Sequence, residues 1–130
     1  MIGKTSFELT LKMGKIIPVE FMPHISEQIA MKVKECKKFN DYVGKIEKNP
    51  PNVEVSKIEI VSVEMFGEKV GFVGLRAHTK RDGYSLPGYV FLRGPAIGVL
   101  MFVNKKLLLV EQFRVPVQEL MLEAPAGMLD

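Results

Sequence analysis

The chain has 130 residues, of which 47% are hydrophobic and 25% are charged, and its formal net charge is +3. This length and balance predict a folded globular protein of domain size and exclude extended disorder. The charge is too small, and the lysines are too scattered, to predict a nucleic-acid partner. The single cysteine, Cys36, excludes an intramolecular disulfide and a cysteine-based metal site.

The N-terminal residues lack the continuous apolar core of a signal peptide, and no apolar run approaches the roughly 18 residues of a transmembrane helix. No membrane partner is therefore expected. The expected location is the cytoplasm, with a plastid or another organelle as the alternative if a transit peptide has been removed.

The first fifty residues combine a short β-ribbon with a helix. Phe7, Leu9 and Leu11 alternate with polar residues, which predicts a half-buried strand with a hairpin partner at Ile16–Phe21. Apolar residues at helical spacing then predict one helix over residues 26–41. The prolines of residues 49–52 cannot continue a helix or a central strand, so a linker is expected there.

Beyond the linker the pattern changes to strands. Alternating apolar residues with glycine-containing turns predict three strands, over residues 53–66, 69–79 and 85–91, in an antiparallel meander. Residues 96–103 are apolar throughout, as in a strand covered on both faces. This strand is expected to pair with residues 107–110 as a hairpin in the core of a second subdomain.

A polar cluster follows the apolar run at residues 107–110. Arg114 has a planar, permanently charged fork of donors that suits a phosphate or a carboxylate, and the preceding strand is expected to be buried and to fix its position. The alternative is a salt bridge to Glu111, Glu119 or Glu123. A second apolar run ends at Glu123, where residues 124–127 predict a tight turn.

These segments resemble the Nudix hydrolases of the ADP-sugar and ADP-ribose diphosphatase group, most of all the plant-type ADP-sugar diphosphatases. The similarity lies in EQFR followed by LEAPAG, and upstream in VEMFGEKVGF and LPGYVFLRGPAIGVLMFV, so that it covers about residues 58–130. The family's glutamate-bearing helix, the Nudix box, is expected just after Asp130. The resemblance is therefore to the N-terminal part of such an enzyme.

The resemblance assigns roles to several residues. It implies that Arg114 contacts the pyrophosphate of the substrate and that the backbone carbonyl of Ala126 is a ligand of Mg²⁺ or Mn²⁺. Glu123 either binds the metal or holds Arg114 in place. Arg93 lines the nucleotide site or is a surface arginine, and Glu111 either contacts the substrate or is a structural partner. Aromatic residues of the meander either stack on an adenine ring or pack in a core or interface: Phe66, Phe72, Tyr84 and Tyr89.

The expected fold is α+β, with an N-terminal antiparallel β meander and one helix leading into the first strands of a Nudix-type α/β/α sandwich. Three segments are expected: residues 1–52 as ribbon, helix and linker, 53–93 as the meander for dimerisation and substrate, and 94–130 as the truncated start of a catalytic domain. A meander with open edges and an uncovered face also predicts a homodimer through residues 53–91.

The function that the resemblance implies is Mg²⁺-dependent hydrolysis of a nucleoside diphosphate sugar, ADP-ribose or ADP-glucose, to AMP and a sugar phosphate. This chain would supply substrate-binding and dimerisation residues and would be inactive alone. The alternative is a non-catalytic dimerisation or nucleotide-binding module. Other hydrolase signatures, such as HExxH or GxSxG, are missing from the sequence.

Overall fold

A computed structural model describes residues 5–129, and the chain divides into two compact units, Met1–Arg93 and Gly94–Asp130. The structure is α+β and mostly strands, as the sequence predicts.

The first unit begins with the predicted ribbon. Strands β1 (Ser6–Thr10) and β2 (Ile16–Phe21) pair antiparallel, with Thr10 opposite Ile16. Gly14 has a φ of 84°, a conformation that glycine adopts without steric cost, and closes the connecting turn. The alternation of the sequence places Ile17, Val19 and Phe21 in the core.

The described part of this unit has two helices where the sequence predicts one over residues 26–41, and that prediction is wrong. Helix α1 (Glu27–Glu35) starts at Ser26, whose Oγ accepts a hydrogen bond from the backbone N–H of Ile29 at 3.2 Å. Cys36 has extended backbone angles, φ −74° and ψ 147°, and helix α2 (Lys37–Ile46) follows.

The break between the helices has a packing cause. Ala30 and Phe39 are nine positions apart, and nine residues of a straight helix turn by about 900°, which would place the two side chains on opposite sides. With the break at Cys36, both are buried in the core. The side-chain amide of Asn40 donates to the carbonyls of Lys34 and Cys36, at 2.9 and 2.8 Å, and so satisfies backbone acceptors at the end of α1. Neither helix of the described chain is long and apolar enough to cross a membrane.

Strands at the predicted meander complete the sheet, but the single strand predicted over residues 85–91 is wrong, because two short strands lie there. Strand β3 (Val53–Phe66) runs parallel to β2 and antiparallel to β4 (Lys69–Arg81), which also pairs with β5 (Tyr84–Ser85) and β6 (Tyr89–Leu92). Residues 5–93 thus form a sheet of six strands. Its inner face packs on α1 and α2, and the largest fully buried side chains there are Phe21, Phe39, Ile17, Ile58, Ile60 and Leu75.

The opposite face of this sheet, here called the open face, carries no helix among the described residues. Cross-strand pairing places one row of charged residues on it: Glu20, Lys57, Glu59, Arg76 and His78. Lys57 pairs with Glu20 at 3.0 Å, and the Nε2 of His78 pairs with the carboxylate of Glu59. The register that brings His78 close to Glu59 includes a bulge between Val55 and Lys57, which the pattern of the sequence does not indicate.

The Glu59 pair predicts a pH dependence of stability. The hydrogen bond from His78 lowers the pKa of Glu59, and the charges of Lys57, His78 and Arg76 lower it further. Partial burial of the carboxylate acts in the opposite direction and raises the pKa, but it does not cancel the lowering. A carboxylate with a lowered folded-state pKa stabilises the fold above its unfolded pKa, and this stabilisation is lost as the pH falls through the folded value. Glu59→Gln should therefore lower the free energy of unfolding by no more than about 1 kcal/mol at neutral pH.

The difference in the free energy of unfolding between wild type and Glu59→Gln should shrink as the pH falls below the ordinary carboxyl range. Urea unfolding of both proteins at neutral and at acidic pH measures this change. Glu64→Gln, at an exposed position of the same strand, is the control. A difference between wild type and Glu59→Gln that stays constant down to acidic pH would exclude the pair as its source.

The second unit consists of three two-stranded sheets within residues 94–129. They pair strand β7 (Ala96–Gly98) with β12 (Ala126–Met128), β8 (Phe102–Val103) with β9 (Lys106–Leu107), and β10 (Val110–Arg114) with β11 (Glu119–Glu123). Asn104 and Lys105 both have positive φ, 50° and 65°, as a two-residue hairpin turn between β8 and β9 requires.

The predicted burial of this unit is wrong. Residues 96–103 form two short strands instead of one covered strand, and only the second of them pairs with β9. Leu100 is 70% and Phe102 is 67% exposed, and residues 107–109, expected as a buried strand before Arg114, are exposed as well. The physical reason is that no helix within residues 94–129 covers either face of these hairpins.

Candidate functional site

The polar cluster predicted around Arg114 lies on the hairpin of β10 and β11. Its turn is tight, with Gln118 at a φ of 57° and its backbone N–H donating to the carbonyl of Arg114 at 2.8 Å. Arg114 is paired with Glu119, and Val110 is paired with Glu123. The turn therefore places Arg114 at the end of β10 by backbone hydrogen bonds and not by burial of the preceding strand.

The register gives the hairpin two different faces. Side chains of directly paired residues lie on the same side, and successive residues alternate. One face, here called the polar face, consists of Val110, Gln112, Arg114, Glu119, Met121 and Glu123. The other consists of Glu111, Phe113, Leu120 and Leu122. The hairpin thus brings Arg114 and Glu123 together and separates Glu111 from both.

Arg114 and Glu123 form a two-bond fork on the polar face. The guanidinium Nε donates to one carboxylate oxygen at 2.5 Å, and Nη2 donates to the other. Of the alternatives that the sequence left open, this is the salt bridge to Glu123, and within the described residues no hydrogen bond or ion pair joins Arg114 to Glu111 or Glu119. Side-by-side bonding of this kind fixes the plane of the guanidinium as well as its position.

The fork also fixes the charges of both groups. The hydrogen bond from Arg114, together with its charge, lowers the pKa of Glu123, and the same bond raises the pKa of Arg114. Both groups are therefore charged around neutral pH. An arginine has about five N–H donors, of which the fork uses two, so the remaining donors of the half-exposed Arg114 can bind an anion while Glu123 holds the side chain.

Ala126 lies in β12, opposite Gly98 of β7. The N–H of Val99 donates to the carbonyl of Pro125 at 2.9 Å, and the N–H of Leu129 donates to the carbonyl of Pro95 at 2.8 Å. Hydrogen-bonded and non-bonded pairs alternate along an antiparallel ladder, so Ala126 occupies a non-bonded position and its carbonyl points away from β7. The carbonyl oxygen of Ala126 is therefore oriented outward from this ladder.

These residues do not make a complete divalent-metal site. Mg²⁺ takes about six oxygen ligands in near-octahedral geometry. No group of three or more histidine, cysteine, aspartate or glutamate side chains comes together in the described part of the chain. The Glu123 carboxylate is engaged by Arg114 through both oxygens. Of the two predicted ligands, the structure therefore offers a carbonyl and one occupied carboxylate, which are too few to hold the ion by themselves.

Arg93 lies in the other unit. It follows β6 and is exposed, at the last position before the division between the units. The aromatic residues of the meander do not form one group. Phe66 and Phe72 contact each other edge to face at 4.9 Å, whereas the Tyr89 ring stacks on the guanidinium of Arg76 at 4.4 Å. Tyr84 is 78% exposed on β5.

No protein-family model matches this chain, and no solved structure matches it significantly. Over 85 residues the chain is 40% identical to Nudix hydrolase 14, chloroplastic, of Arabidopsis thaliana. The matched segment is 61% of this chain and 28% of that protein. The chain therefore spans less than a third of the length of this curated relative and is similar to part of a Nudix hydrolase.

Proposed function

We propose that this chain is the substrate-binding and dimerisation part of a Mg²⁺-dependent Nudix hydrolase. The enzyme would cleave the pyrophosphate of ADP-ribose or ADP-glucose to AMP and a sugar phosphate. The observation that supports this best is the Arg114–Glu123 fork, an anion-binding arginine held in place by a carboxylate. The 40% identity to a Nudix hydrolase supports the class of reaction.

Each residue of the site has a separate proposed role. Arg114 binds the diphosphate through the donors that the fork leaves available, and Glu123 positions Arg114. The outward carbonyl of Ala126 contributes one oxygen ligand to a metal ion, Mg²⁺ or Mn²⁺, whose other ligands come from polypeptide outside this chain. Arg93 binds the nucleotide. The bound metal would neutralise charge on the phosphates.

The proposed organisation has residues 1–52 and 53–93 as the accessory part and residues 94–130 as the start of the catalytic domain, a Nudix-type sandwich. Two copies associate through residues 53–91. Because the relative is a chloroplast protein, a plastid is a proposed location beside the cytoplasm.

A second candidate is a nucleotide-binding or dimerisation module without catalysis. The observation that favours it is the lack of a carboxylate cluster in the part of the chain that the structure describes. A module of this kind would bind ADP-ribose but would release no AMP.

The test is AMP formation from ADP-ribose and ADP-glucose, with and without Mg²⁺. Residues 1–130 alone should release no AMP above the uncatalysed rate, because too few metal ligands are present. The same residues followed by a glutamate-bearing Nudix-box segment should release AMP only when Mg²⁺ is present.

AMP release is compared between the two proteins at equal concentrations. A form of the longer protein with its Nudix-box glutamates replaced by glutamine is the control. Mg²⁺-dependent turnover by residues 1–130 alone would contradict the proposed division of ligands. An inactive longer protein that still binds ADP-ribose would favour the second candidate.

A further inference from the structure

A cavity of about 380 Å³ lies in the first unit, between the turn of the β1–β2 ribbon, the end of α2 and the start of β3. Its volume falls in the range of about 300–1,000 Å³ that is typical of small-molecule pockets. All of its lining residues lie within residues 11–55, so the cavity shares no residue with the Arg114–Glu123 fork. It is called the ribbon cavity below.

The ribbon cavity opens where the parallel pairing of β2 with β3 stops, at Pro18. The N–H of Met22, directly after β2, donates to the carbonyl of Ile60 at 3.0 Å, so the even-numbered residues of β2 direct their backbone groups toward β3. Pro18 has no N–H with which to continue this series. Within the described residues, the two strands accordingly pair only from Val19 and Ile58 onward. Their earlier residues leave a gap between them.

One ion pair joins the two strands across this gap. The Nζ of Lys15 donates to a carboxylate oxygen of Glu54 at 3.1 Å. The offset that pairs Val19 with Ile58 also places Lys15 level with Glu54, so the two side chains meet where the backbone pairing is missing. Their side chains are 38% and 65% exposed, and a ligand can therefore reach the pair from solvent.

A second carboxylate lines the ribbon cavity at the end of α2. Glu47 follows Ile46, the last residue of that helix, and one of its carboxylate oxygens accepts a hydrogen bond from the backbone N–H of Lys12 at 3.3 Å. This bond holds the side chain beside the ribbon. Within the described residues, the second oxygens of Glu47 and Glu54 accept no hydrogen bond. The lining therefore presents one ammonium group and two carboxylates that can still accept.

The rest of the lining is mostly apolar. Leu11 and Val53 are half-buried, and core residues such as Ile17 and Val55 lie beside them in the same lining. Met13, at the tip of the ribbon turn, is 93% exposed and also lines the cavity. A methionine side chain is flexible and polarisable, so it can fold over an apolar ligand. Charged groups and an apolar surface therefore stand side by side in one small cavity.

We propose that the ribbon cavity binds a small zwitterion with an apolar body, the chemistry of an apolar α-amino acid such as leucine. The ligand carboxylate accepts from Lys15, the ligand ammonium donates to Glu54 and Glu47, and the aliphatic side chain packs on Leu11 and Val53. Each charge then has an opposite partner. An anion without an ammonium would face two carboxylates, and a cation without a carboxylate would compete with Lys15 for Glu54.

The test is isothermal titration calorimetry of residues 1–130 with leucine, which should bind with a dissociation constant of about 1 mM or below. Two analogues of the same shape examine the charges. Leucinamide lacks the carboxylate, and 4-methylpentanoate lacks the ammonium group. Each analogue should bind at least about tenfold more weakly than leucine, because it leaves one charged group of the cavity without a partner.

Variants of the ion pair complete the test. Lys15→Met and Glu54→Gln should each raise the dissociation constant of leucine by at least about tenfold. Lys32→Met is the matched control, because it breaks a similar ion pair, to Glu68 at 2.7 Å, outside the cavity lining, and it should leave the affinity unchanged. Circular dichroism should show that all three variants keep the fold, since each of these lysines and glutamates is partly exposed.

Three results would overturn the proposal. The first is a wild-type chain that binds no leucine at about ten times the expected dissociation constant. The second is equal affinity for leucine and leucinamide, which would make the cavity a site for cations. The third is leucine binding that survives both Lys15→Met and Glu54→Gln, because the ligand would then lie elsewhere on the chain.

Discussion

Replacing Arg114 with alanine in the complete enzyme that we propose should lower kcat/KM for ADP-ribose or ADP-glucose by roughly 30- to 1,000-fold. The loss corresponds to about 2–4 kcal/mol of transition-state stabilisation, the range expected for a charge-assisted contact to a phosphate whose charge shifts during reaction. The physical reason is that Arg114 is held rigidly by Glu123 while part of its guanidinium stays available. Steady-state release of AMP measures the effect.

Matched variants separate charge from geometry. Arg114→Lys keeps the positive charge but loses the two-bond fork, so it should recover only part of the activity. Glu123→Gln keeps the size of the side chain and weakens the hold on Arg114, and it should cost less than Arg114→Ala. Glu119→Ala, opposite Arg114 on the same polar face, should be nearly neutral. An Arg114→Ala enzyme within about threefold of wild type would show that the fork is only structural.

The position of Glu111 illustrates what a strand register adds to a sequence motif. In the linear sequence, Glu111 and Arg114 stand three residues apart in one polar cluster, and a common site is a natural expectation. Residues an odd number of positions apart on a strand lie on opposite faces. Glu111 therefore lies on the same face as Phe113, whereas Arg114 lies on the same face as Glu123. The partner of Arg114 comes from the next strand, nine residues later, which only the hairpin turn determines.

The strands of the first unit were predictable because their signal is local. Residues 53–66 and 69–79 alternate apolar and polar side chains, and the burial of Ile58, Ile60, Val73 and Leu75 follows that alternation. The parallel pairing of β2 with β3 was not predictable, because it joins residues about forty positions apart with two helices between them. The number of helices was missed for a related reason: the break at Cys36 is caused by the sheet, onto which both helices must direct their apolar sides.

The apolar runs of the second unit show the opposite limit. A continuous apolar strand predicts burial only if something covers it, and the sequence pattern does not identify the cover. Residues 94–129 contain pairs of strands and no helix, so Leu100 and Phe102 remain exposed in this structure. The apolar face of the β10–β11 hairpin, with Phe113, is exposed for the same reason.

Truncating Phe39 to alanine should lower the free energy of unfolding of the first unit by about 3–5 kcal/mol. Phe39 is 0% exposed and its ring meets that of Phe7 edge to face at 6.3 Å, so the change removes a fully buried aromatic ring and leaves a cavity between α2 and the sheet. A domain of this size has about 5–15 kcal/mol of stability in total, and Tm should fall by about 15 °C or more. Thermal and urea unfolding, followed by circular dichroism, measure the change.

The stability that Phe39→Ala is expected to lose depends on the break between the two helices. Two further variants test whether this break places Phe39 in the core. Met31→Ala, at a half-exposed position on α1, should change stability by no more than about 0.5 kcal/mol. Asn40→Ala removes the amide that bonds the carbonyls of Lys34 and Cys36, and should cost about 1–2 kcal/mol without creating a core cavity. If Phe39→Ala lowered the free energy of unfolding by no more than Met31→Ala does, the Phe39 ring would have to lie outside the core. One uninterrupted helix from Ser26 would place it there, because such a helix cannot direct both Ala30 and Phe39 toward the sheet.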